Sequence, residues 1–529
     1  KGFVTALGNS FLVSSLAAVC TTGIAFLLTY TIHYTNVPGM VKKILRAVAL
    51  LPMLLPTITY GFAILYSFGK EGLLTKLFGK QLFQIYGIKG LLLGYVIYTL
   101  PVSFMLLYNA MSYIDKKFMV VSRVMGDNPF STFWITIIRP LLGTLAASFV
   151  QSFFLSFTDF GIPAAVGGKF EVLAGVLYDR MLGSVPNFNN GAVVAMVMLV
   201  PSIVSIALLH YLEKYNVRYN KISHIEMKKN RVRDFICGGL GSLACLGILM
   251  IFLVIFVVPF VKQWPYELGF TLENVKSVFA DAELSNVYIN SLYTAFFTAV
   301  FGTLTAYGSA LVTARSKVPK ILKNIIEGIA LVTNTIPGMV LGLAFLFAFS
   351  GTRLQNTFAI LVLCNVIHFF STPYLMMKES LAKMNASWET TAMLMGDNWL
   401  KTIIRIVTPN ALSTIIEVFS YYFINAMVTI SAVIFIAGAR TMVTISAVIF
   451  LAGARTMVIT TKIKQLQYYN KYNEIFVLSI LLLLTNLLCK LVFQHLAKRE
   501  RGAEKEKTNK SREALMQKKT VRLARRALA

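Results

Sequence analysis

The sequence is poor in charge and contains none of the usual motifs of a membrane-bound hydrolase. Only 14% of the 529 residues are charged and 56% are hydrophobic, and the apolar residues form blocks of about 20, the length that crosses a bilayer core. No G-x-x-x-x-G-K-[ST] phosphate loop, H-E-x-x-H or G-x-S-x-G motif occurs. The sequence therefore predicts an all-α polytopic membrane protein that is not an enzyme and does not hydrolyse ATP itself.

Cysteine is also scarce. The five cysteines lie in or beside apolar runs and form no C-x-x-C pair, so we expect small core residues. This pattern supports neither a disulfide framework nor a metal site, and no bound cofactor is expected.

Stretches with almost no charge give about eleven candidate spans. Pro56, Pro101, Pro337 and Pro373 fall inside them, which argues little against spanning because neighbouring helices satisfy the freed backbone groups. The candidate spans lie near residues 9–32, 47–68, 88–109, 142–164, 192–212, 236–260, 289–313, 326–350, 356–377, 410–434 and 474–496.

The net charge of +27 raises the question of nucleic-acid binding, and the placement of the basic residues argues against it. Lys and Arg concentrate in every second connection between spans, which the positive-inside rule assigns to the cytoplasm. The connection 261–288 carries Glu267, Glu273 and Asp281, as an outside loop does. The tail has twelve Lys or Arg against four Glu, so it is predicted to be cytoplasmic and close to anionic lipid. No nucleic-acid partner is expected.

The chain contains two related halves. Four short segments of the first half recur in the second, two of them in one common register and two at slightly shorter offsets. The recurring segments are 9–10 and 290–291, 56–65 and 337–346, 125–128 and 395–398, and 136–139 and 402–405. An even number of helices per half makes the repeats parallel, so we expect about six helices each, with one further helix upstream of Lys1.

Each half has a loop of about thirty residues in a basic connection. The second loop has apolar residues at helical spacing on both sides of Gly396, including Ala392, Met393 and Met395 before it. This spacing predicts a helix, a bend at Gly396 and a second helix that ends at Pro409. Such a helical pair can present an apolar face to a soluble partner.

This loop resembles the "EAA" loop of binding-protein-dependent ABC importer permeases, through Glu389, Ala392, Gly396 and Pro409. The first-half loop keeps the glycine and the proline but has Met119 where the second has the acid. The residues assigned to ATPase coupling are Gly126, Arg139, Pro140, Glu389, Ala392, Gly396, Arg405 and Pro409.

The resemblance is to fused permeases of the ferric-iron type and covers both halves. It implies a bacterial inner-membrane protein with two type I permease domains, two cytoplasmic ABC ATPase subunits that use the ATP, and an extracytoplasmic solute-binding protein. Ferric iron is the expected solute, with 2-aminoethylphosphonate or thiamine as alternatives. An ion-coupled secondary transporter remains a distant alternative.

The expected domain limits follow from this organisation. The first permease domain covers residues 1–215 with a coupling loop at 115–140, and a basic linker covers 216–235. The second domain covers 236–497 with a coupling loop at 382–409, and the basic tail covers 498–529.

Polar residues inside spans are costly and mark candidate positions on the solute path. Glu417 is a candidate cavity carboxylate, although pairing with a neighbouring helix or snorkelling is favoured. Asp159 either faces the path or caps the helix break before Gly161, and the cap is slightly favoured. Asn365 and His368, one turn apart, are favoured as interhelical hydrogen-bonding groups rather than metal ligands.

The stretch 427–456 repeats a fifteen-residue phrase with a single change, Ile436 to Leu451. Thirty residues cannot make two spans, and one added span would move the basic tail outside. We expect a tandem duplication within an outer hairpin or re-entrant segment. Deleting 442–456 is predicted to leave folding and transport largely intact.

Overall fold

The computed structural model describes residues 2–81, 84–182, 187–213, 230–333, 336–385, 387–429, 431–433, 436 and 456–527. The predicted linker 216–235 and the duplication 427–456 lie largely outside these residues. In the first half, the described residues form helices joined by turns and short irregular segments. Its helices are α1 Gly2–Tyr34, α2 Gly39–Leu50, α3 Thr57–Phe68, α4 Leu73–Phe78, α5 Ile88–Ser112, α6 Lys117–Val124, α7 Pro129–Phe133, α8 Arg139–Thr158, α9 Gly161–Val166, α10 Leu173–Leu182 and α11 Phe188–Glu213.

The second half repeats the main helices of this order after two additional helices, α12 Arg231–Val257 and α13 Glu273–Ala280. The helices that follow are α14 Ala282–Arg315, α15 Lys320–Thr333, α16 Gly338–Phe349, α17 Phe358–His368, α18 Ser371–Ala382, α19 Ser387–Leu394, α20 Trp399–Thr402, α21 Thr408–Val428, α22 Ile459–Tyr468 and α23 Tyr472–Ala527. Between α12 and α13, strands β1 Val261–Gln263 and β2 Glu267–Phe270 pair antiparallel.

The all-α polytopic architecture is confirmed. Within the described residues, eight helices are long and apolar enough to cross a membrane, and two bent helix pairs raise the number to ten. The predicted span at 142–164 ends earlier, because α8 stops at Thr158 and the chain breaks before α9.

Three candidate spans are broken helices rather than straight ones. The span predicted at 356–377 bends by 57° between Phe358–His368 and Ser371–Ala382. The chain bends by 113° between Gly39–Leu54 and Thr57–Phe78. Leu55, before Pro56, is extended with φ −126° and ψ 151°, since a following proline disfavours the helical conformation. The span predicted at 326–350 is likewise divided into α15 and α16, with Pro337 as the N-cap of α16.

Two compact units contain the described residues. The first comprises Lys1–Ser291, Thr335–Cys364 and Val428–Leu483, and the second comprises Leu292–Asn334, Asn365–Met427 and Leu484–Ala529. In the first unit α1 packs against α5, α8 and α12, and α3 packs against α9. In the second, α15 packs against α18 and α19 against α20. The domain limits at 1–215 and 236–497 stay a prediction.

The recurring Asn-Ser pair ties α1 to the start of α10. Asn9 Nδ2 donates to the carbonyl of Glu171 (3.0 Å), and Ser10 Oγ accepts the amide N–H of Leu173 (2.8 Å). Leu173 is the first residue of α10, so a distant serine satisfies one of the N–H groups that a helix start leaves unpaired.

The second copy of the pair makes the same two contacts. Asn290 Nδ2 donates to the carbonyl of Met457 (3.1 Å), and Ser291 Oγ accepts the N–H of Ile459 (2.7 Å) at the start of α22. The sequence repeat is therefore a repeat of tertiary contacts, and α22 is the equivalent of α10.

The equivalence of α10 and α22 allows the length added by the duplication to be counted. Leu173 lies 47 positions after Gly126, whereas Ile459 lies 63 positions after Gly396. The excess of 16 is one more than the fifteen-residue copy, which accounts for nearly all of the added length. The expected hairpin itself lies outside the described residues.

Candidate coupling site

Each basic loop is a helix, a tight turn and a second helix. In the first loop, Gly126 separates α6 from α7 with φ +90°, and the N–H of Asp127 donates to the carbonyl of Ser122 at 3.1 Å. In the second, Gly396 has φ +84°. Positive φ is costly for a residue with a Cβ, and such a glycine commonly ends a helix. The bend predicted at Gly396 is confirmed, and Gly126 makes the same bend in the first loop.

Close packing is not the reason that glycine is needed at these two positions. A Cβ built on Gly126 or Gly396 would meet no atom within 4 Å. The requirement is therefore for the backbone angle alone, and any larger residue is strained there for that reason.

An asparagine starts the second helix of each loop. Asn128 Oδ1 accepts the N–H of Ser131 (2.7 Å), and Asn398 Oδ1 accepts the N–H of Lys401 (2.8 Å). These are N-cap hydrogen bonds. The Met-Gly-Asp-Asn repeat thus encodes a helix end and a helix start within four residues.

A π-helical turn joins each loop to the long helix that follows. Trp134–Ile138 precedes α8, and Ile403–Val407 precedes α21. Pro140 and Pro409 are the second residues of α8 and α21. The predicted helix end at Pro409 is therefore wrong, because a proline is tolerated in the first turn of a helix. A proline lacks an N–H and crowds the carbonyl four residues earlier, and the wider π turn accommodates that loss.

The π turns show which residues of the two halves are equivalent at the start of α8 and α21. Since Pro140 and Pro409 hold the same place in their helices, Arg139 corresponds to Thr408, whereas Arg405 lies inside the second π turn. The match of 136–139 with 402–405 is therefore not a structural equivalence. Short runs of isoleucine and threonine match easily, and only the helix boundaries show the displacement of three residues.

Both loops expose large apolar side chains at equivalent positions, in the register that aligns the two glycines. We name these the first patch and the second patch. The exposed fraction is 82% for Val124, 79% for Met125 and 75% for Phe130 in the first patch, and 84% for Leu394, 80% for Met395 and 61% for Leu400 in the second. Clustered exposed apolar residues mark an interaction surface.

The expected apolar face was only partly right. Met395 is exposed, but Ala392 is buried. Val124, Phe130, Leu394 and Leu400 were missed, although the repeat that carries the two glycines also aligns these positions.

Glu389 does not face solvent. Its carboxylate accepts two hydrogen bonds from Arg315, the last residue of α14: Nε to Oε1 and Nη2 to Oε2, both at 2.6 Å. The side chains are 4% exposed for Arg315 and 12% for Glu389. A parallel, two-bond arginine–carboxylate pair is the strongest geometry of this interaction.

The first half fills the equivalent positions with apolar groups. Tyr34 ends α1 as Arg315 ends α14, and Met119 stands in place of Glu389. Both are buried in one apolar cluster with Ile137. The absence of the acid noted in the sequence is therefore matched by the absence of its basic partner.

A lysine in α2 and a lysine in α15 each bond to the end of the long helix that comes before. Lys42 Nζ donates to the carbonyl of Thr35 (2.6 Å), and Lys323 Nζ donates to the carbonyl of Ser316 (2.9 Å). Donors and acceptors alike correspond in the register that relates the two Asn-Ser pairs. A cation at a helix C-terminus also complements the helix dipole.

A second equivalent contact uses different chemistry in each half. In the first, the Arg46 guanidinium lies 4.7 Å from the centre of the Tyr108 ring. In the second, Lys378 Nζ lies 2.6 Å from Glu327 Oε1. A cation–π contact and an ion pair thus join the same two elements.

Asp159 is a buried helix cap in the first unit. Its Oδ2 accepts the N–H of Ile162 (2.9 Å), and the residue is 6% exposed. It lies between the end of α8 and the start of α9, so the carboxylate satisfies the start of α9. This geometry agrees with the capping alternative.

The other three path candidates lie in the second unit. Asn365 is 1% exposed, and neither of its side-chain polar atoms has a hydrogen-bond partner among the described residues. The ring of His368 lies 4.5 Å from that of Phe369, and its Nδ1 is also buried without a described partner. Glu417 is half-buried on α21. Asn365 is the strongest candidate, because a buried amide without partners is expensive.

A half-buried lysine was missed by the sequence analysis. Lys464 on α22 donates to Gln467 Oε1 (2.8 Å), and its Nζ lies 5.6 Å from the ring centre of Phe160 and 5.4 Å from that of Tyr178. Burial lowers the pKa of Lys464 to about 8, and the Asp179 carboxylate opposes this change.

A polar cavity of about 310 Å³ lies in the first unit, at the end of α12 remote from its basic N-terminus. The rings of Trp264 and Tyr472 lie 6.2 Å and 5.5 Å from that of Tyr66. Asn473 Nδ2 donates to Asn274 Oδ1 (3.3 Å). The indole N–H of Trp264 is buried without a described acceptor, so an occupant would need to offer one.

Comparison with known proteins relates both halves to transport permeases. The family of binding-protein-dependent transport system inner membrane components matches residues 21–216 and again 302–502. FbpB 1 of Haemophilus influenzae is 25% identical over 452 residues, which are 82% of this chain and 71% of that relative.

Two further relatives differ in how much of the chain they match. The ferric transport system permease protein FbpB of Actinobacillus pleuropneumoniae is 26% identical over 82% of this chain and 65% of its own length. The molybdate/tungstate transport system permease protein WtpB of Pyrococcus furiosus is 24% identical over 39% of this chain and 79% of its own length. With two matches to one family model and a glycine-turned loop in each half, the chain belongs to the family of binding-protein-dependent transport system inner membrane components.

Proposed function

We propose that the chain is the membrane permease of an ATP-driven importer of ferric iron, which a solute-binding protein delivers. The observation that carries this proposal is the length of the alignments. FbpB 1 and the ferric transport permease FbpB each align with 82% of the chain, across both halves, whereas WtpB aligns with 39%. 2-Aminoethylphosphonate and thiamine are the alternative solutes.

Uptake of radioactive ferric iron by cells that carry or lack the gene tests the solute. We expect uptake to require the chain and to stop on ATP depletion. Unchanged iron uptake together with loss of aminoethylphosphonate or thiamine uptake would replace the solute. Uptake that survives ATP depletion would favour an ion-coupled transporter.

The two apolar patches are the proposed docking surfaces for two ATPase subunits, which use the ATP that this chain has no phosphate loop to bind. Support comes from the equivalent positions of the patches and from the surrounding charges, such as the Lys401–Asp397 ion pair. Fully desolvated apolar side chains dominate the free energy of such interfaces.

Charge introduced into a patch tests the docking. We expect Met395→Glu and Met125→Glu each to reduce co-purification of the ATPase at least ten-fold. The matched control is Tyr266→Glu, because Tyr266 is 70% exposed but lies between β1 and β2. Equal loss in the control, or no loss in either patch variant, argues against docking at the patches.

The basic connections and the C-terminal tail are proposed to be cytoplasmic, because Lys and Arg are retained on that side. A reporter fused after residue 500 should then be active as a cytoplasmic fluorescent protein and inactive as an exported phosphatase. The opposite result would invert the topology.

The polar cavity around Trp264 is the proposed contact for the solute-binding protein. It is lined by amide and aromatic side chains, of which the aromatic ones suit a protein interface. Trp264→Ala should weaken binding of that protein while leaving ATPase co-purification unchanged. Unaltered binding would place the contact elsewhere.

We further propose that Asn365, His368 and Glu417 lie on the solute path of the second unit, and that Asp159 acts only as a cap. Asn365→Leu should reduce iron uptake without reducing the amount of assembled complex. Asp159→Asn, which keeps an acceptor oxygen, should transport normally. A reversed pattern would exchange the two roles.

A further inference from the structure

Arg315 connects three segments of the second unit. Besides its two bonds to Glu389, Nη1 donates to the carbonyls of Leu381 (3.5 Å) and Met384 (2.9 Å), and Nη2 donates to that of Asn385 (3.0 Å). All five N–H groups of the guanidinium therefore have acceptors. Carbonyls at a helix end have no partner within the helix, and here the end of α18 is satisfied by the end of α14.

Glu389 lies in the first turn of α19, the helix that leads to the second patch. An eight-residue helix has little stability by itself, so its direction depends on contacts with neighbours. The ion pair joins α19 to α14, and the three carbonyl bonds join α14 to the segment just before α19. One side chain thus bonds to both α19 and the segment that leads into it.

The first half is an internal control for this arrangement. Both positions of the pair differ there, Tyr34 for Arg315 and Met119 for Glu389, and both replacements are buried. A buried ion pair can be exchanged for apolar residues of similar size at little cost, whereas loss of one partner leaves an unpaired charge. Simultaneous change is what a direct contact requires.

We propose that Arg315 is a positioning residue that holds the second coupling loop through Glu389, so that this acid influences the direction of the loop from within the permease. The proposal rests on the proposed function only in naming the loop's partner. The surface offered to that partner is then the second patch, and the ion pair governs the direction in which the patch points.

The test uses a spin label on the full-length chain in lipid. With labels at Leu394→Cys or Val124→Cys in a cysteine-free background, we expect Arg315→Ala to increase label mobility at position 394 and not at 124. The double variant Arg315→Tyr with Glu389→Met transplants the first-half pair and restores a packed contact between α14 and α19, but not the three carbonyl bonds, so the mobility at 394 should return part of the way to the wild-type value. Arg315→Lys keeps the charge but not the fork, and its mobility should lie between those of wild type and Arg315→Ala.

The outcomes separate this inference from the proposed function, because label mobility needs no ATPase. Unchanged mobility at 394, or equal mobility increases at both labels, would overturn the positioning role. A double variant as mobile as Arg315→Ala would overturn the pairing. In the reconstituted complex, Arg315→Ala should lower solute moved per ATP at least ten-fold, with partial recovery in the double variant. Failure of the wild-type chain to bind any ATPase would refute the proposed function and leave the positioning result standing.

Discussion

At the scale of single residues, the coupling loops depend on backbone angles that most amino acids avoid. Gly126 and Gly396 were recognisable in the sequence, because a glycine between two apolar helical stretches indicates a tight turn that depends only on neighbouring residues. Arg315 was not recognisable, because its partner Glu389 lies far along the chain and its first-half equivalent is a tyrosine. The backbone angle of a turn can be predicted from adjacent residues, whereas the pairing of Arg315 with Glu389 could not be predicted from one sequence.

Gly396→Ala should destabilise the second loop because φ is +84° there. The expected cost is about 1–2 kcal/mol, as for other residues forced into the left-handed region. Thermal unfolding of the purified chain measures it. Gly239→Ala is the control, since Gly239 lies in α12 with open space around its Cβ and should be neutral or slightly stabilising. Equal effects in the two variants would contradict the backbone argument.

Lys464 should make stability depend on pH. Its pKa falls from 10.5 in the unfolded chain to about 8 when folded, so the unfolded chain binds more protons between these values. Stability should therefore rise as the pH increases from 8 towards 10. Lys464→Met should flatten the rise, whereas Lys276→Met, at an exposed position, should not. Unfolding midpoints at pH 7.5 and 9.5 provide the test, and identical slopes in all three chains would count against it.

At the scale of elements, the two halves share one set of helices but hold them with different chemistry. An aromatic–aliphatic cluster on one side corresponds to an ion pair on the other, and a cation–π contact corresponds to a second ion pair. The sequence repeat revealed the helices and the loops. It did not reveal the breaks at Pro56 and Pro337, since a proline inside an apolar run is compatible with both a continuous and a broken span.

The serine that accepts an N–H at the start of each equivalent helix should contribute similarly in both halves. Ser10→Ala and Ser291→Ala each remove the acceptor for a helix N–H, which costs about 1 kcal/mol. Ser316→Ala is the control, because its hydroxyl donates to the carbonyl of Val312 within the same helix end. Matching decreases in the unfolding temperature for the first two variants would support equivalence. A change in only one of them would show that the contacts differ in weight.

At the scale of the whole molecule, the contacts of the second half survive an insertion that the first half lacks. Asn290 and Ser291 reach α22 as Asn9 and Ser10 reach α10, although fifteen residues were added before α22. The positions of the long helices were therefore predictable from repeat and hydropathy. The path through the duplicated stretch was not, since nothing in the first half corresponds to it.

Deleting residues 442–456 should leave Met457 and Ile459 bonded to Asn290 and Ser291. The joined chain keeps one complete copy of the phrase, so we expect surface expression and iron uptake within about two-fold of wild type. Deleting 456–459 instead removes the bonded residues and should abolish both. Loss of expression in the first deletion would show that the copy has acquired a structural role.

The paired anchors on either side of the duplicated stretch have a practical consequence. The chain leaves α21 at Val428 and is held again at Met457, and evolution has already lengthened the interval without moving either end. Such an interval is a suitable insertion site for a foreign sequence, because inserted domains are tolerated where the flanking backbone is independently held in place. An epitope or a fluorescent domain inserted there would report on the transporter in living cells, at a position where the chain has already accepted fifteen additional residues.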